Sequence, residues 1–82
     1  MIKYRFNVFD ALERRGFNMY KAKTTKLLSQ DTLKKIKNED TNITLKSLNV
    51  ICSLLDMQPK DIIEYRETAE DKADRESHGF FN

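Results

Sequence analysis

The sequence predicts an all-α fold: a compact five-helix domain over residues 1–66, joined by a short two-stranded ribbon from the N- and C-terminal ends and followed by a polar tail over 67–82. Three observations carry this. Five short segments each open on a residue that starts helices, namely Asn7, Asn18, Ser29, Thr44 and Pro59. Only two glycines and one proline interrupt 82 residues that are 39% apolar and 34% charged, a balance that suits a small helical protein. Period-two alternation is confined to two places, Met1 to Phe6 and Ile63 to Arg66. A chain this short makes one domain, near the lower limit at which a single core holds without staples.

Met1-Ile2-Lys3-Tyr4-Arg5-Phe6 alternates apolar and basic residues, as a short strand does. Asn7 then caps a helix of about Val8 to Arg15, ended by Gly16 in the left-handed position. Val8, Ala11 and Leu12 form its inner stripe, with Phe9 at the edge, and all four read as core. Arg14 and Arg15 suit the negative end of the helix dipole. Asn18 caps the next helix, Met19 to Lys26, with Phe17 before it and Ala22 at the fourth helical position as a weak hydrophobic staple. After Leu27 and Leu28, Ser29 accepts from the amide of Asp31 or Thr32 and restarts the chain as a helix over Gln30 to Lys37. Both helices are too short to stand alone. Leu28, Leu33 and Ile36 meet on one inner face, which leaves Gln30, Asp31, Lys34, Lys35 and Lys37 outside.

Asn38 to Ile43 clusters turn formers without a period and reads as a loop. Thr44 caps a helix from Leu45 to Asp56, on which Leu45, Leu48, Cys52 and Leu55 make an inward stripe broadened by Ile51. Val50 and Leu54 fall on a different face, with Met57 just beyond, and a second apolar stripe needs a cover. Pro59 and Asp61 open a last short helix to Ile63. Ile63 to Arg66 alternates and is expected to pair with Ile2 to Phe6. Residues 67–77 are almost entirely polar and are expected to be disordered; Phe80 and Phe81 at the end are a candidate docking element.

Composition excludes several functions. Cys52 is the one cysteine and His78 the one histidine, so no internal disulfide and no cysteine- or histidine-rich metal site can form. Cys52 reads as a small buried hydrophobe. No glycine-rich phosphate loop occurs, and no carboxylate sits in an apolar setting that would raise its pKa for acid catalysis. An enzyme is not expected, nor a cofactor or small-molecule ligand. Nothing spans a membrane or resembles a signal peptide, so a cytoplasmic chain is the expectation.

The net charge of +2 hides a division along the chain. Residues 1–66 carry 13 Lys+Arg against 8 Asp+Glu, whereas 67–82 carry 2 against 5. Between Met19 and Val50, seven lysines face three acids. That is the polarity a phosphate surface selects.

The run from Tyr20 to Asn38, followed by Thr44 to Leu55 and by Gln58-Pro59-Lys60-Asp61-Ile62-Ile63, resembles the helix-turn-helix family of phage repressors, Cro proteins and small bacterial xenobiotic-response-element-type regulators. Leu28-Ser29-Gln30-Asp31-Thr32-Leu33 matches the start of that family's recognition helix. The resemblance covers residues 4–66 and implies a lambda-repressor-like domain that binds double-stranded DNA. Two positions depart from it. Lys23 stands where the family commonly has a small residue, and Leu27 where it has a turn glycine. A β-carbon in a left-handed turn costs roughly 1 kcal/mol relative to glycine, so either a wider turn or a strained Leu27 is expected.

Carried over position by position, the resemblance places Gln30, Asp31 and Lys35 at base edges in the major groove, with Thr32 and Lys34 nearby. Gln pairs with adenine, Lys with guanine O6 and N7, and Asp with the cytosine amino group. Asp31 equally suits the helix dipole. The family's phosphate-binding Gln is Met19 here, so Lys21, Lys23, Lys26, Ser29, Lys37, Asn38 and Lys46 are the expected phosphate contacts. Regulators of this type gain specificity by placing two copies about 34 Å apart, which implies a homodimer, and Val50, Leu54 and Met57 are its expected contact. A protein-interaction module that keeps the fold without operator binding is the alternative, drawing on Glu39-Asp40 and the acidic tail.

Overall fold

The computed structural model describes residues 1–79; Phe80 and Phe81, the candidate docking element, lie outside the described residues. The elements run β1 (Ile2–Tyr4), α1 (Val8–Arg14), α2 (Met19–Thr25), α3 (Gln30–Lys37), α4 (Leu45–Leu55), α5 (Pro59–Ile62), β2 (Ile63–Tyr65) and α6 (Ala69–Ser77). Each of the first four helices is opened by the side chain that the sequence offers. Asn7 Oδ1 accepts from the Asp10 amide at 2.9 Å, Asn18 Oδ1 from Lys21 at 3.0 Å, Ser29 Oγ from Thr32 at 3.0 Å and Thr44 Oγ1 from Ser47 at 3.0 Å. Each bond satisfies one of the amides that a helix start leaves without a partner. Pro59 opens α5, where its missing N–H costs nothing.

The core gathers one face from each of these helices. Leu12, Leu33, Ile51 and Ile62 are completely buried and come from α1, α3, α4 and α5, while Phe17 and Ala22 fix the entry of α2. The two α3 residues that point inward are Leu33 and Ile36.

The ends pair as expected. β1 and β2 form an antiparallel ribbon with Ile2 opposite Tyr65, Lys3 opposite Glu64 and Tyr4 opposite Ile63. Because side chains alternate across a strand, Ile2, Tyr4, Ile63 and Tyr65 share one face. The ladder continues through Arg5 N–H to the Ile62 carbonyl at 2.8 Å.

Three expectations are corrected. Residues 69–77 form a sixth helix, beyond the five in residues 1–66, rather than a disordered segment; Thr68 and Asp71 make a reciprocal capping box, and Arg75 pairs with Glu67 at 2.6 Å. No residue of α6 is buried. Leu45 is 83% exposed instead of lying in the inward stripe. The helix buries Leu48, Ile51 and Leu55 and packs on α1 and α5. Cys52 is only half-buried, at the edge of that face. Of the two alternatives for the turn, a wider connection or a strained Leu27, the strained Leu27 is not found. The left-handed residue is Lys26, at φ 58°, whose amide returns to the Ala22 carbonyl at 3.0 Å.

Candidate nucleic-acid interface

The turn between α2 and α3 is built without glycine. Lys26 takes the left-handed conformation that ends α2, which leaves Leu27 free to lie outside and Leu28 to turn inward. The Thr25 hydroxyl donates to the Lys21 carbonyl and accepts from the Leu27 amide at 3.4 Å, so it bridges the last turn of α2 to the connection. Thr25 is a structural residue that the sequence reading passed over. Its signal was the Thr24-Thr25 pair at the end of a helix, where hydroxyls commonly bond back to the preceding turn.

With Leu33 and Ile36 buried, α3 shows solvent the opposite face. Gln30, Asp31, Lys34 and Lys35 are all exposed there. Among the described residues, Gln30, Asp31 and Lys34 make no side-chain hydrogen bond or ion pair. Their functional groups are therefore open to a ligand. Thr32 differs: it is half-buried, and its hydroxyl accepts from Ser29 Oγ at 2.8 Å. Ser29 is thus engaged twice within the chain, through this bond and through the Thr32 amide.

The remaining lysines divide. Lys35 donates to the Asn42 carbonyl at 3.3 Å and so braces the loop that follows α3. Lys37 lies 5.5 Å over the Phe9 ring, drawn to the α1 side by the negative face of the aromatic. Lys21, Lys23, Lys26 and Lys46 are exposed, as is Asn38 at the end of α3. Met19, at the position of the family's phosphate-binding Gln, is half-buried against the core. Tyr20 beside it is 68% exposed, and no apolar stripe claims it.

The loop is tied to the ribbon. The Tyr4 hydroxyl donates to the Asp40 carbonyl at 2.9 Å, and the Thr41 hydroxyl donates to the Ile2 carbonyl at 3.1 Å. Burial, and secondarily the charge of Asp40, push the Tyr4 phenol up to about 12. Val50, Leu54 and Met57, the expected dimer contacts, are each half-buried and packed on the core.

Two short helices meet here at a tight turn, the second capped by Ser29 and presenting a polar, basic face. The family model of the Cro/C1-type HTH DNA-binding domain matches residues 12–67. The chain belongs to this family. The match takes in the end of α1, α2, the turn and α3 together with α4, α5 and the ribbon's second strand. DNA binding and a regulator's role go with a Cro/C1-type domain, and such domains are typically not enzymes. No curated protein and no solved structure matches the chain. Among the described residues, no helix is long and apolar enough to cross a membrane.

Proposed function

We propose that this HTH domain binds double-stranded DNA sequence-specifically by laying α3 in the major groove, and that it acts as a small transcriptional repressor of cytoplasmic DNA. The observation that carries the reading is the outer face of α3, where Gln30, Asp31 and Lys34 are exposed and uncommitted. Gln30 suits adenine N6 and N7, Lys34 suits guanine O6 and N7, and Asp31 suits the amino group of cytosine. Lys35 reaches a base by releasing the Asn42 carbonyl. Lys21, Lys23, Lys26 and Lys46, joined by Asn38, hold the phosphates and set the register. Ser29 and Lys37 contribute less, since the first serves the cap and the second the Phe9 ring.

One helix reads only a few base pairs, and two copies about 34 Å apart supply the specificity that a regulator needs. A homodimer on DNA completes the reading.

Selection from a random duplex library, followed by titration of the selected site against salt, tests it. A consensus should emerge, and affinity should fall steeply with salt as phosphate-bound counterions are released. A flat salt response with no consensus would favour the protein-interaction module instead.

A further inference from the structure

The C-terminal end of α3 carries charge of the wrong sign for DNA. Its last carbonyls are the negative end of the helix dipole, Glu39 and Asp40 follow, and residues 38–44 hold no lysine or arginine. The last turn does not offset this, because Lys35 is drawn to the Asn42 carbonyl and Lys37 to the Phe9 ring. Eight residues of helix rise about 12 Å, which is about the width of the major groove. A helix lying in that groove therefore brings its end close to a phosphate backbone.

The ribbon supplies a cation at this end. Lys3 and Tyr4 of β1 line a cleft of about 290 Å³ with Asn38 and Glu39. The backbone of Lys3 is fixed on both sides: the Ile2 carbonyl accepts from Thr41 Oγ1 at 3.1 Å, and the Tyr4 hydroxyl donates to the Asp40 carbonyl at 2.9 Å. Glu64 stands opposite Lys3 in the ladder and is the natural partner of its ammonium. Arg66 takes that carboxylate instead, through Nε at 3.1 Å and Nη2 at 3.0 Å. Among the described residues, exposed Lys3 makes no side-chain hydrogen bond or ion pair, with Glu39 or with any other group.

We infer that Lys3 is a DNA contact: its ammonium, beside Asn38, holds a backbone phosphate diester at the C-terminal end of α3. A lysine on a flexible four-carbon stem suits a phosphate as a point charge without fixed geometry. The contact makes the ribbon part of the DNA-binding surface. It deepens the reading above and rests on α3 lying in the major groove.

Binding of the parent and Lys3→Gln to the selected duplex tests this, first against salt and then with single methylphosphonates that neutralise one phosphate at a time. Lys3→Gln should melt with the parent and keep its consensus. Its salt slope should be shallower by about 0.9, so that between roughly 50 and 200 mM salt it loses about 3.5-fold less affinity than the parent. At one phosphate position the methylphosphonate should weaken the parent and leave Lys3→Gln unchanged. The same loss should persist in a Glu39→Gln background, and Lys3→Arg should restore the slope. A full slope in Lys3→Gln with the same sensitive positions as the parent overturns the inference alone. A loss that vanishes with Glu39→Gln also overturns it, since Lys3 would then only offset that carboxylate. A parent that binds no duplex overturns the DNA reading and this inference with it.

Discussion

Ser29 separates two roles that one hydroxyl can play at the start of α3. Its oxygen accepts from the Thr32 amide at 3.0 Å and its proton goes to Thr32 Oγ1 at 2.8 Å, so within the chain it is a cap. Resemblance alone also made it a phosphate contact. Ser29→Ala removes the cap from a helix of eight residues, which should cost about 1 kcal/mol. For a domain of this size that corresponds to a fall in melting temperature of about 4–8 °C. DNA binding should weaken as well, because the first turn that frays carries Gln30 and Asp31. Ser29→Asn restores a neutral cap and should return both melting and binding to near the parent. Ser29→Asp caps equally well but places a carboxylate near phosphates, so it should melt like the parent and bind every duplex more weakly. Thermal melting by circular dichroism, paired with binding of each variant to one duplex, reads both quantities. If Ser29→Ala melts with the parent while its binding drops, the hydroxyl serves the phosphate and the capping argument is wrong.

Other expectations follow from the same surface. Gln30→Ala should cost about 1–3 kcal/mol on the selected site and relax preference at one base pair, whereas Lys46→Ala should weaken all sequences alike and lower the salt slope by about one unit; identical profiles for the two would remove α3 as the reading element. Leu33→Ala should destabilise by roughly 2–5 kcal/mol in urea, since the side chain is completely buried and its loss leaves a cavity; a cost below that range would mean that the site collapses around the gap. Burial raises the Tyr4 phenol from 10.0 to about 12, so the folded chain keeps a proton that the unfolded chain releases. That contribution is full below pH 10 and disappears as pH rises through 12. Melting temperature against pH should therefore fall less steeply in Tyr4→Phe between those values, and superimposable alkaline limbs would refute the assignment.

What the sequence made legible was chemistry decided within a few residues. Asn7, Asn18, Ser29 and Thr44 start helices because a side-chain oxygen meets an amide three positions on, and no distant contact enters that decision. The bounds of α3 followed directly. The ribbon was legible for a related reason, since two alternating segments at opposite ends each lacked a partner. Leu45 failed because periodicity gives the face on which a residue lies and not whether a neighbour reaches that far along the helix. At Leu27 family position left two alternatives open, and the chain avoids strain there by placing the left-handed residue one position earlier, at Lys26, and using Thr25 to hold the turn. Along 67–77 low hydrophobicity outweighed the capping pair Thr68 and Asp71, and the helix that results buries nothing, though its Asp71 carboxylate also pairs with the Met1 ammonium.

Lys35 was the least legible, because its partner belongs to a loop whose place is decided by the chain's two ends. β1 is held by β2, Ile2 and Tyr4 hold Thr41 and Asp40, and the Asn42 carbonyl between that loop and α4 holds the Lys35 ammonium. The path runs from the ribbon to the recognition helix through four contacts, each of them a single hydrogen bond or a three-residue ladder. The loop of residues 38–43 is thus tied on one side to the ribbon and on the other to Lys35 of α3.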